Sequence, residues 1–322
     1  MATSGSVNFT QTRNEIIQDA LALVGAYGVG RTISSEDIVF TNNLLNKMIK
    51  AWQARGLHLW AEEDAYLFVA DNTGRYVLSN ATSSARAAYE TDTVITQLNG
   101  GFAATDTALT VDTTTGMSTS DIIGIVLDSD VVHWTTISTI PSSTTLTIAS
   151  GLATAAADNS HVYTFTSRIN RPLKIHSVRK VTGIDTGSTS TQTATALTQL
   201  SHTDFMELPS RNTNGSPTHY YYNPDLDSGS LYLYPRPDDP DMYFSFSFSR
   251  MLEDFDASTD NADFPSEWLE TITYQLAVRL ATAFGKDAKL QSLMPMASAM
   301  YEMMLDNDAE TGSVYLSPDK GY

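Results

Sequence analysis

Apolar side chains recur at helical spacing near both ends of the chain and at alternating spacing between them. Thr12-x-x-Glu15 has the form of a capping box, after which Ile16, Ile17, Ala20, Leu21, Leu23 and Val24 follow a 3.6-residue period until Gly25 and Gly28. Ser34-x-x-Asp37 opens a second predicted helix in which Phe40, Leu44, Leu45, Met48 and Trp52 form one stripe, with Gly56 as its stop. The short loop between them predicts an antiparallel hairpin over residues 1–64.

From Trp60 the period changes to two. Tyr66, Phe68 and Val77 sit among polar neighbours, which predicts a β connection over 65–98. Short β-type runs then follow at 108–111, 122–127, 131–137, 144–148 and 162–165, separated by Gly, Asp, Ser and Pro turns. They predict a small barrel or sandwich over 99–166. Residues 167–263 remain β-like, with 231–234 and 243–248 the clearest strands and the Ser/Thr stretch at 186–198 read as a loop.

Helical spacing returns after Pro265. Leu269, Ile272, Leu276 and Leu280 make a stripe that ends at Gly285. A further helix starts near Asp287 and carries Leu290, Leu293, Met294, Ala297, Met300, Tyr301 and Met304, with Pro295 expected to kink it or delay its start. This pair is assigned to 264–311, and residues 312–322 form a tail. A lone helix pair cannot bury its stripe, so the two pairs need each other. The expected fold class is α+β: an antiparallel helical bundle formed by the N- and C-terminal helix pairs, with a β-rich middle containing an inserted small β-barrel or sandwich.

Composition adds exclusions. The chain has no cysteine, so disulfides and thiolate chemistry are absent. No window approaches the apolar length of a membrane span, and the first residues lack a basic stretch followed by an apolar run, which predicts a soluble chain without a signal peptide. Net charge is −18, and residues 212–322 hold 6 basic against 18 acidic side chains. Tight DNA binding needs the opposite sign. An acidic wall would instead let DNA slide past it. Between Arg86 and Arg168 there is no Lys or Arg, while 8 acidic residues occur, marking the 99–166 module as an acidic insert.

Candidate chemistry is sparse. The histidines at 58, 133, 161, 176, 202 and 219 show no ligand spacing, and no nucleophile elbow, phosphate loop or dinucleotide fingerprint is present. The expectation is therefore no catalytic residue, no metal and no cofactor. Asp225-x-Asp227-x-Gly229 begins like a calcium loop but lacks the later ligands, and reads as a turn before a strand. The pairs Asp238/Asp239 and Glu253/Asp254 read as solvated, unless a pocket sets a pair at the separation glycoside chemistry requires. Arg168, Arg171, Lys174, Arg179 and Lys180 form the one basic run, either a solvated strand pair or a partner-docking patch. Met294, Met296, Met300, Met303 and Met304 read as core filler or as an adaptable intersubunit face.

Glu15-Ile-Ile-Gln-Asp-Ala-Leu21, Asn43 to Trp60, Tyr220 to Pro235 and Phe264 to Gly285 occur in an order that resembles the head-to-tail adaptor proteins of tailed, especially short-tailed, bacteriophages. These are also called tail tubular protein A or packaged-DNA stabilisation proteins. The resemblance covers roughly half the chain, and the acidic insert is a departure from the shortest members. It implies a virion structural protein of the neck or tail, assembled in the host cytoplasm. The implied assembly is a twelve-subunit homo-oligomeric connector ring that binds beneath the portal protein, closes the DNA-filled head and joins a tail nozzle or tail tube protein. Genomic DNA would pass through the channel without sequence-specific binding. Tyr315, Leu316 and Tyr322 then become the candidate portal-docking residues, the alternative being a disordered tail. The competing class is an extracellular carbohydrate-binding or adhesin-like β protein presenting Trp134 and Tyr220 to Tyr222, and a further rival is a glycan hydrolase.

Overall fold

The computed structural model describes residues 5–28, 30–55, 59–70, 72–183 and 192–308. In chain order it contains α1 (Arg13–Val24), α2 (Ser35–Gln53), β1 (Glu62–Phe68), β2 (Arg75–Leu78), β3 (Ala87–Tyr89), β4 (Thr93–Gln97), β5 (Ala108–Thr110) and β6 (Ile122–Val126). There follow β7 (Val132–Thr139), β8 (Thr145–Ile148), β9 (His161–Phe165), β10 (Lys174–Thr182), β11 (Thr193–Ala196), β12 (Thr198–Gln199) and α3 (His202–Glu207). The last elements are β13 (His219–Pro224), β14 (Gly229–Tyr234), β15 (Met242–Ser249), α4 (Trp268–Ala283) and α5 (Leu290–Asn307). The fold is mixed α+β with a β-rich middle, and it divides into a helical unit, from the described residues of 1–61 and 252–308, and a β unit, 62–251.

In the helical unit α1 starts where Thr12 accepts from the Glu15 amide and the Glu15 carboxylate accepts from the Thr12 amide at 2.8 Å. That reciprocal pairing holds the Glu15 carboxyl below its usual range, led by the bond from the Thr12 backbone. Gly25 ends the helix in the left-handed region at φ 75°. α2 starts on Ser34, which accepts from the Asp37 amide. Its buried stripe is Thr41, Leu45, Met48, Ile49 and Trp52. Phe40, expected on that stripe, is instead largely exposed and meets Phe284 edge-on at 6.4 Å. The stripe is rotated because Thr41, too polar to count in an apolar pattern, takes the inner position. Gly56 and His58 lie outside the described residues.

One apolar core joins Ile16, Ile17 and Leu21 of α1 and Leu45, Met48 and Trp52 of α2 to Ile272, Leu276 and Leu280 of α4 and Leu293, Tyr301 and Met304 of α5. Its aromatic centre sets Trp52 5.2 Å from Tyr301 and 5.8 Å from Trp268, whose ring lies 5.1 Å from Trp60. Pro295 lies inside α5, whose start at Leu290, behind a short 3-10 turn at Asp287–Lys289, it does not delay.

A polar stripe on α2 holds the irregular segment that leads into α4. Asn46 both donates to the Phe255 carbonyl at 3.1 Å and accepts from its amide at 3.0 Å. Asn42 donates to the same carbonyl, Lys50 donates to the Leu252 carbonyl at 2.7 Å, and Gln53 accepts from the Leu252 amide. These side chains replace the ladder bonds that a non-repetitive backbone lacks. They recur at i, i+4, i+8 and i+11, a polar helical period that a pattern of apolar positions does not display.

In the β unit a five-stranded sheet, ordered β11-β10-β15-β1-β3, and a four-stranded sheet, β12-β13-β14-β2, share a core around Leu67, Tyr220, Leu231, Phe244, Phe246 and Phe248. A six-stranded antiparallel sheet has the order β4-β9-β6-β7-β8-β5 and its own core of Leu109, Ile123, Ile125, Leu146, Ile148 and Val162. A bridge between Leu98 and Val111 links the segments that continue β4 and β5. β4 belongs to this sheet although it falls in the 65–98 stretch expected to be a connection.

Two sequence expectations in this unit require correction. Of the Ser/Thr stretch at 186–198, residues 186–191 lie outside the described residues, and the remainder is not all loop, since β11 pairs with β10 and β12 with β13. β11 is an edge strand with all its residues exposed, so no alternating burial marks it in the sequence. α3 interrupts the segment read as uniformly β-like. Its capping box, Ser201 with Asp204, is legible, but six residues with one buried side chain, Phe205, carry no helical period.

Candidate docking surfaces

Tyr315, Leu316 and Tyr322 lie outside the described residues. The basic run is distributed over several environments. Arg168 donates to the carbonyls of Ala85 at 3.0 Å and Ser83 at 2.9 Å, and Arg171 reaches the Met251 sulfur. Lys174 is exposed on β10. Arg179 and Lys180 fall opposite Ser245 and Phe244 of β15, so they project from opposite faces of the sheet. Arg179 donates to the Ala194 carbonyl and Lys180 to the Ser216 hydroxyl.

No group of His, Asp or Glu that could hold a metal occurs among the described residues, and no described helix is long and apolar enough to cross a membrane. His161 bonds Asp241 at 3.2 Å, an interaction that lowers the Asp241 carboxyl. His176 bonds the Ser249 hydroxyl at 2.7 Å. Each serves local structure. The helical unit has an open groove of about 710 Å³ lined by Phe9, Asp19, Leu23, Glu267, Glu270 and Tyr274. Its three carboxylates are exposed. The aromatics expected to face a glycan are otherwise engaged. Tyr220 is buried, Tyr222 donates to the Pro172 carbonyl at 2.5 Å, and the Arg86 guanidinium covers the Trp134 ring at 4.6 Å.

Two surfaces stand out. On α5, Met294, Met296 and Met303 are exposed while Met304 is buried, so most of the Met-rich stripe faces outward rather than filling the core. On the four-stranded sheet, β2 and β14 pair so that Arg75 lies opposite Tyr232. α3 adds Phe205, with its ring 5.0 Å from Tyr232 and 5.1 Å from Tyr221. Arg75 stands over Tyr232 at 5.9 Å and Arg211 over Phe205 at 5.7 Å, both within cation–π range. Burial, then Tyr232 and Asp225, raise the Tyr221 phenol.

Arg236 completes this site from the end of β14. Its backbone is fixed by bonds with Thr213 and Gly215, each 2.9 Å, and its Nη2 donates to Asn212. Gly74 leaves room for it, since a Cβ there would lie 2.8 Å from the Arg236 Cγ. The result is a cavity of about 520 Å³ lined by Arg75, Arg211 and Arg236, with Phe205, Leu208, Pro209 and Leu233 as apolar surface and no Asp or Glu. The Arg236 Nε is buried without a hydrogen-bond partner among the described residues. Three guanidiniums over apolar walls suit an anionic group carried beside an apolar one. Nothing in the sequence joins these arginines, because the fold collects them from a strand, a loop and a strand end.

Residues 130–318, more than half of the chain, match the model of the SU10 adaptor protein family. A search of curated proteins finds no match.

Proposed function

Because the chain belongs to the SU10 adaptor protein family, we propose that it is a bacteriophage structural adaptor of the virion neck. The carrying observation is the extent of the match, which runs from β7 through α5 and so takes in strands of the β unit and both C-terminal helices. In this reading the N- and C-terminal helix pairs form an antiparallel bundle, and copies of it build the wall of a ring beneath the portal protein. The six-stranded sheet closes as a small barrel in each copy, and the ring joins a tail nozzle or tail tube protein. A net charge of −18 per copy, multiplied around the ring, keeps the channel from holding DNA as it passes. A ring of this kind repeats one heterologous interface until it closes, and the resemblance implies twelve copies.

The outward methionines of α5 suit an adaptable intersubunit face. The tail with Tyr315, Leu316 and Tyr322, and the basic residues Arg168, Arg171, Lys174, Arg179 and Lys180, are assigned to partner docking rather than to catalysis. No enzymatic step is assigned to the chain. Co-sedimentation of the purified chain with portal particles tests the reading, and the expected result is saturable binding. Removal of residues 312–322 is expected to weaken that binding, and unchanged binding would remove the tail from the docking surface. A full-length chain that never binds portal would contradict the adaptor reading itself.

A further inference from the structure

The β13–β14 hairpin carries, at its turn, a group that matches the arginine cavity at its other end. Pro224 pairs with Gly229, leaving Asp225, Leu226, Asp227 and Ser228 as a four-residue tip. Leu226 is 88% exposed, and an exposed aspartate stands on either side of it. Asp225 is held by Asn223 at 2.7 Å and lies 3.5 Å from the Ser230 hydroxyl, to which Arg75 also donates. No hydrogen bond fixes Asp227 among the described residues. The tip therefore presents one apolar side chain beside a free carboxylate. The cavity presents apolar Phe205, Leu208 and Pro209 beside Arg211 and Arg236, which no carboxylate pairs among the described residues.

We infer that the 225–228 tip of one copy docks in the arginine cavity of the next, with Leu226 against Phe205, Leu208 and Pro209, and Asp227 facing Arg211 and Arg236. This rests on the reading of the chain as a self-assembling adaptor subunit. Within one copy the tip does not occupy the cavity, since Leu226 stands exposed to solvent. Gly229 and Leu233 are four residues apart on one strand, about 13 Å at ~3.3 Å per residue, and the turn leads off the opposite end. Because tip and cavity are different surfaces, the contact is heterologous and repeats from copy to copy. Local complementarity favours a second copy over nucleic acid, since the tip sets apolar Leu226 beside a carboxylate as the cavity sets Phe205, Leu208 and Pro209 beside arginines, whereas a phosphate backbone offers charge without the apolar group.

The test uses two full-length variants, Leu226→Ser combined with Asp227→Asn, which removes both the apolar and the charged group of the tip, and Arg211→Asp combined with Arg236→Asp, which disables the cavity. Sedimentation velocity, alone and with portal particles, is expected to show self-assembly weakened at least about tenfold in each. An equal mixture of the two is expected to form a heterodimer and nothing larger, because only one working tip meets one working cavity. A folding defect does not produce that signature. Unchanged assembly in both variants would overturn this contact and leave the adaptor reading standing. A wild-type chain that stays monomeric alone and on portal would overturn both. Oligonucleotide binding abolished by the arginine variant, with assembly intact, would give the cavity to nucleic acid instead.

Discussion

The helical unit draws its core from both ends of the chain, whereas the six-stranded sheet is built from strands that all lie within Thr93–Phe165. Trp52 meets Trp268 and Tyr301 across more than two hundred residues of sequence, while Ile123 and Val162 share a core within a single local stretch. The sheet can form as soon as its own strands exist. The helical core waits for the last helix, because the loop between its halves must close before those contacts reward it. The difference teaches that damage in the two regions should be separable, with cores that lose stability independently.

The strongest way to break the comparison is Trp52→Ala. This buried ring touches Tyr301, Trp268 and Phe264, and its loss is expected to cost about 3–5 kcal/mol. Calorimetry should show a lowered helical-unit transition with the β-unit transition unmoved, and a common shift of both would make the two cores one cooperative unit. Next comes Gly151→Ala. Its Cβ would lie 2.4 Å from the Thr105 carbonyl oxygen, a backbone atom that cannot swing away. The expected loss is about 1–3 kcal/mol, confined to the β-unit transition.

Thr12→Ala removes the capping oxygen of α1 and is expected to cost about 1 kcal/mol, read in the helical transition alone. The smallest effect concerns Asp241, whose carboxyl is held below its usual range by the bond with His161. A depressed carboxyl stabilises the fold above its unfolded-state pKa, and that contribution disappears as pH falls through the folded-state value. Asp241 is well exposed, so screening limits the contribution to under about 1 kcal/mol. Asp241→Asn should therefore lower the β-unit midpoint slightly near neutrality and leave it unchanged in strong acid, as urea melts at the two pH values would show.

The same contrast explains what is legible in the sequence. Helix starts are readable wherever a side chain caps a backbone amide, as at Thr12 and Ser34, because that chemistry is local. The stripe of α2 is misplaced at Phe40 by an apolar pattern, since only the packed structure reveals that polar Thr41 is buried. Short runs mark most strands of the six-stranded sheet, but β11, exposed on every residue, has no alternation to display. The arginine cavity is beyond sequence reasoning. Arg75, Arg211 and Arg236 become neighbours only through the pairing of β2 with β14 and the placement of α3. The hairpin tip shows in the sequence as Asp225-x-Asp227, with the form of a metal loop, because its apolar partner, Leu226, gains meaning only from its exposure.

The most direct test of the adaptor account is electron microscopy of the purified chain with and without portal particles. The account predicts a closed ring of this chain seated on the portal, with density for the β unit in every copy. A chain that remains monomeric and leaves the portal bare would contradict it.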